Sequence, residues 1–110
     1  MIIKNNDKYT LLTIEDESVE YIAKKLINND LNLNSENLIL NISKKINTSL
    51  NELLLFLEVS NIHRNLGTSF VLVTKCSEID KIPEELNIVP TLTEAEDILE
   101  MEAIERDLGF

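Results

Sequence analysis

The chain carries one histidine, His63, and one cysteine, Cys76. Metal ligation or nucleophilic catalysis would require partners at fixed spacing, such as a second ligand one helical turn away or a base beside the thiol. Neither residue has such a partner in the sequence. His63 falls inside an expected helix and reads as a surface or packing residue. Cys76 follows an expected strand, with no helix N-terminus beside it to lower its pKa, and reads as a small structural thiol. One cysteine cannot form an intrachain disulfide. The neighbouring carboxylates Glu84 and Glu85 read as solvated rather than as an acid–base pair. Gly67 and Gly109 are the only glycines, too far apart to form a loop that cradles phosphate. No catalytic residue, metal ligand or cofactor is expected, and the chain does not read as an enzyme.

Hydroxyl residues at helix starts are the remaining chemical signal. Ser49-Leu50-Asn51-Glu52 fits the S/T-x-x-E capping box, in which the serine oxygen and the glutamate carboxylate each satisfy a free backbone N–H. Thr93-Glu94-Ala95-Glu96 repeats the pattern further along. The elements around these caps follow from periodicity. Ile2-Ile3 and Lys8 to Ile14 read as two strands, joined by a turn at Asn5-Asn6-Asp7. Asp16 or Ser18 caps a helix whose apolar positions are Val19, Ile22, Ala23, Leu26 and Ile27, with Glu20, Lys24 and Lys25 facing water.

Asn37 to Ile42 is an apolar run of buried-strand length, and a turn over Ser43 to Thr48 leads to the helix that Ser49 caps. That helix should end before Gly67, which suits a C′ position. Ser69 to Thr74 and Ile88-Val89 are further strands, the second stopped by Pro90. A last helix is expected from Thr93 to about Leu108. Alternating strands and helices imply an α/β fold with a mostly parallel or mixed sheet. The high asparagine content reads as genomic bias rather than mechanism.

The 110 residues fit one domain, 1–110, and 44% apolar content suffices for a core of Leu, Ile and Val, since only 5% of residues are aromatic. Twenty acidic residues against ten basic ones give a formal charge of −10. That balance argues against nucleic acid and against anionic membranes, both of which call for basic surface. From Lys81 onward nine carboxylates face only Lys81 and Arg106; solvation is the plainest meaning, and steering of a basic partner the alternative. The first residues lack an apolar segment of the secretory type, and no apolar run approaches the ~20 residues of a membrane span. A cytoplasmic location is expected.

Two helices hold more apolar surface than one packing face needs. On the second, Leu50, Leu53, Leu54 and Leu57 form one stripe, and Leu55, Val59, Ile62 and Leu66 another, rotated by roughly 150° at ~100° per residue. A helix in such a fold touches both sheet and neighbouring helix, so internal cover is expected there. On the last helix Ala95, Ile98 and Leu99 share a face, while Met101, Ile104 and Leu108 lie closer to the opposite side. Those three are candidates for partner binding or self-association.

The element order, together with the segment Asn37-Leu-Ile-Leu-Asn-Ile-Ser-Lys-Lys-Ile-Asn-Thr-Ser-Leu50, resembles the STAS domain, the family of bacterial anti-sigma factor antagonists. Ile88-Val-Pro-Thr-Leu-Thr-Glu-Ala95 is similar to the family's last strand and helix start, and the acidic segment Met101 to Leu108 is similar to some bacterial members. The resemblance implies a STAS-like mixed sheet of four to five strands with helices packed against it. It also implies a serine, phosphorylated by a partner kinase, at the start of the second helix. The family's Asp-Ser-Ser-Gly falls on Asn47, Thr48, Ser49 and Leu50, so only the acceptor position keeps its type. The family's third helix would lie between Ser77 and Asn87, where Pro83 implies that it is shortened or lost.

By this resemblance the protein is a non-catalytic, protein-binding regulator, with Ser49 or Thr48 as phosphorylation candidates and Asn47 and Leu50 at the contact surface. The implied partner is an anti-sigma-like kinase or phosphatase. A degenerate domain acting as a constitutive scaffold or homodimer module is the alternative, with Ser49 a plain N-cap worth ~1 kcal/mol. A small-ligand or nucleotide sensor is a third reading, disfavoured by the scarcity of glycine.

Overall fold

The computed structural model describes residues 1–42 and 48–109. Five apolar runs form the strands β1 (Ile2–Asn5), β2 (Thr10–Ile14), β3 (Leu38–Ile42), β4 (Phe70–Val73) and β5 (Asn87–Val89). The helices are α1 (Val19–Ile27), α2 (Leu50–Leu54), α3 (Phe56–Asn65) and α4 (Leu92–Asp107). The sheet order is β1-β2-β3-β4-β5; β1 runs antiparallel to β2 and the other neighbours are parallel. This is the expected α/β fold with a mixed sheet, here of five strands.

Successive side chains of a strand point to opposite faces, so a sheet buried on both sides needs apolar residues at consecutive positions. β3 and β4 have them. On one face Leu12, Leu40, Leu72 and Ile88 stand side by side across the parallel strands. Val19, Ile22, Ala23 and Leu26 of α1 pack there with Leu53, Phe56 and Val59 of α2 and α3. On the other face Ile39, Val71 and Val73 meet Ala95 and Leu99 of α4. β1 is one edge strand of the sheet and its residues are all exposed.

Local chemistry explains most element boundaries. Asn6 closes the first turn, its side-chain oxygen accepting from the backbone N–H groups of Lys8 and Tyr9, 2.8 Å each. The turn therefore takes in Lys8 and Tyr9, and β2 begins at Thr10, not Lys8. Of the two candidate caps for α1 it is Ser18 that acts, accepting from the Tyr21 N–H at 3.0 Å. Asn29 and Asn32 have φ values of 58° and 56°, a region that asparagine tolerates better than most residues. Those two asparagines thus have a conformational use. Gly67, at φ 75° after the Leu66 cap, holds the expected C′ position of α3.

Three expectations are corrected. The single helix expected from Ser49 to Gly67 is two, because at Leu55 the backbone tightens and the Leu55 N–H bonds the Glu52 carbonyl three residues back. The face it buries is neither leucine stripe but Leu53, Phe56, Val59, Ser60 and His63. Leu55 and Leu66 stay exposed, while Leu50, Leu54, Leu57 and Ile62 are half-buried. The last helix starts one residue early, at Leu92, with Thr91 rather than Thr93 as its cap; the Thr91 hydroxyl accepts from the Glu94 N–H at 3.2 Å. Between β4 and β5 the chain forms only a 3-10 turn, Ile79–Lys81, as expected of a short stretch broken by Pro83. The expected turn at Ser43 to Thr48 falls mainly on residues outside the described ones.

Candidate functional site

Ser49 stands at the start of α2, beyond the C-terminal end of β3, with its side chain exposed. The reciprocal cap is complete. The Ser49 hydroxyl oxygen accepts from the Glu52 N–H at 3.2 Å, and Glu52 Oε1 accepts from the Ser49 N–H at 3.1 Å. Glu52 Oε1 also receives the Ser49 hydroxyl hydrogen at 3.1 Å. Thr48 is half-buried, and its hydroxyl has no hydrogen-bond partner among the described residues. Leu50 opens α2 and is half-buried. Asn47 lies outside the described residues.

The turns after β4 and β5 share this end of the sheet. Thr74, Lys75, Cys76, Ile79, Ile88 and Pro90 line a mostly apolar cleft of about 360 Å³ there. The 3-10 turn between β4 and β5 leaves Ile79 52% exposed at the rim. Cys76 is half-buried and packs against the core, as expected of a structural thiol.

The opposite end of the sheet holds a polar arrangement that sequence reasoning missed. The chain has only two arginines, Arg64 and Arg106, and both line one cleft of about 190 Å³ between α3 and α4. Arg64 donates to the Glu85 carbonyl at 2.8 Å, which also accepts from the Ser60 hydroxyl at 2.6 Å. Arg106 donates to the Ser69 hydroxyl and lies 3.8 Å from Glu102, whose carboxylate accepts from the Asn87 amide at 3.1 Å. Each guanidinium is thus occupied in tying an element to its neighbour. The one signal in the sequence was the rarity of arginine.

His63 sits behind that cleft, fully buried and stacked on Phe70 with ring centroids 5.6 Å apart. Its Nδ1 is 2.9 Å from the Thr68 hydroxyl, while Nε2 has no hydrogen-bond partner among the described residues. Burial disfavours the charged ring and lowers its pKa to about 4, the Glu36 backbone opposing more weakly. This is the packing role expected for a lone histidine. Among the described residues no group of three His, Cys, Asp or Glu side chains is placed to hold a metal ion.

The last candidates lie on α4. Ala95, Ile98 and Leu99 pack inward as expected, whereas Met101, Ile104 and Leu108 are 60%, 54% and 66% exposed. The structure therefore separates the candidates into two groups: Thr48, Ser49 and Leu50 at the start of α2, and Met101, Ile104 and Leu108 on the outer face of α4. Beside α4 a groove of about 400 Å³ runs toward the first turn, and Tyr9 reaches Glu96 across it with a hydroxyl hydrogen bond of 2.9 Å.

The fold and these surfaces define an α/β domain with a five-stranded mixed sheet and helices on both faces. No helix among the described residues is long and apolar enough to cross a membrane. No family model matches the chain, and no curated protein matches it.

Proposed function

We propose that the protein is a non-catalytic regulator of the cytoplasm that binds another protein, resembling an anti-sigma factor antagonist, with Ser49 at the contact surface and open to phosphorylation. The observation that carries this reading is the exposed Ser49 hydroxyl engaged with the Glu52 carboxylate at 3.1 Å. A phosphate there adds a charge of about −1.5 to −2 directly against that carboxylate. Glu52 must then leave the Ser49 N–H, and a partner packed on this surface meets a hydrated, charged group where it met a compact cap. The element order, which resembles that of the family, lends support.

Peptide mass spectrometry of protein purified from its native cells is the test. Phosphate on Ser49 in a fraction of molecules is the expected result, together with loss of a co-purifying partner in Ser49→Asp. An unmodified Ser49 across several growth conditions, with Ser49→Asp retaining every partner, would overturn the switch. The completeness of the cap favours a second reading, a constitutive scaffold in which Ser49 only starts α2. Under that reading Ser49→Ala lowers stability and leaves partner binding intact.

A further inference from the structure

We propose that the outer face of α4 docks a basic amphipathic helix of another protein. Met101 and Ile104, with Leu108 at the helix cap, stand at positions i, i+3 and i+7, the spacing by which one helix anchors another. At ~1.5 Å rise per residue they span roughly 10 Å, two turns of surface. Burying them against a similar length of apolar helix removes all three from water. They point away from the sheet, since Ala95 and Leu99 occupy the inner face of the same helix.

Charge selects the occupant. Asp97, Glu100, Glu105 and Asp107 surround the stripe; all four are exposed and make no ion pair among the described residues. Arg106, the only basic residue of α4, is drawn toward Ser69 and Glu102. The outer face is thus apolar and anionic, with no cation of its own. A second copy is a poor fit, because two such faces set carboxylate against carboxylate on chains of formal charge −10 each. A helix with leucine-type residues on one side and lysines or arginines at the margins satisfies both features. The surface does not involve Ser49, so this proposal stands or falls separately from the switch.

The probe is a labelled 18-residue peptide of leucine and lysine, patterned to form a one-sided amphipathic helix. Its scrambled isomer, with the same charge and no apolar face, is the control. Fluorescence anisotropy is expected to show saturable binding of the patterned peptide and at least tenfold weaker binding of the isomer. Met101→Ser with Ile104→Ser is expected to weaken the patterned peptide by about tenfold or more, while Glu84→Gln with Glu85→Gln leaves it unchanged. Both pairs are to be checked for an unchanged thermal midpoint. Equal binding of the isomer, indifference to the Met101 and Ile104 changes, or no binding would each overturn the proposal. So would sedimentation showing a dimer that Ile104→Ser dissociates, which would identify a second copy as the occupant.

Discussion

Ser49 and Glu52 cap each other at the start of α2, each accepting the other's backbone N–H at 3.2 and 3.1 Å. Because α2 is only five residues long, this cap makes up a large share of its local support. Ser49→Ala is expected to cost about 1 kcal/mol, or roughly 4 °C in a chain of this size. Asp is as good an N-cap as Ser, so Ser49→Asp should lose less, even with Glu52 nearby. Thermal melts of the three proteins check the order; an alanine variant as stable as the parent would remove the cap from the account.

The His63 ring is neutral in the folded protein well below the ordinary histidine pKa, with its own pKa lowered to about 4 by burial. A pKa below the unfolded value of about 6.5 means that the unfolded chain binds the proton first. The resulting stabilisation is fully present above about pH 6.5 and is lost progressively as pH falls toward 4. A proton NMR titration should find the ring still neutral at pH 5.5, where an unhindered histidine is mostly charged. A midpoint near 6.5 would contradict the burial.

Phe56 is fully buried and stacks on Phe70, with centroids 6.0 Å apart. Its removal opens a cavity between α3 and the sheet, so Phe56→Ala should cost about 3–5 kcal/mol in urea denaturation. Met101→Ser should change stability by less than about 0.5 kcal/mol, because that side chain is exposed. A similar cost for both would mean that α4 packs through its outer face.

Arg106 ties the last turn of α4 to Ser69, the residue before β4. Its side chain is one-third exposed, so the effect of Arg106→Ala is moderate, about 1–2 kcal/mol. The change should also be local. Hydrogen exchange is expected to quicken over the C-terminal half of α4, while the first turns, held by Ala95 and Leu99, stay protected. Uniform exchange along the helix would show that Arg106 does not anchor it.

What was legible in the sequence was local. The strand runs, the Ser18 and Ser49 caps and the Gly67 stop each depend on residues a few positions apart, so spacing alone exposes them. The lack of a full helix between β4 and β5 was legible for the same reason, since Pro83 interrupts a short stretch. Thr93 misled because Thr91 offers the same hydroxyl with Glu94 three residues on; pattern alone does not decide between two adjacent caps.

The sequence by itself determined the order and kind of the elements, the −10 charge and the surplus of apolar residues on α4. The tertiary structure decided which of them are buried. On α3 it buries Ser60 and His63 while the flanking Leu55 and Leu66 stay exposed, because the Glu85 carbonyl accepts from Ser60 and the Thr68 hydroxyl pairs with His63 Nδ1 inside. The tightened turn at Leu55 breaks the uniform ~100° step on which both leucine stripes relied. The convergence of Arg64 and Arg106, 42 positions apart in sequence, likewise needs the sheet to bring α3 and α4 together. Burial depends on partners from distant parts of the chain, and no local pattern encodes them.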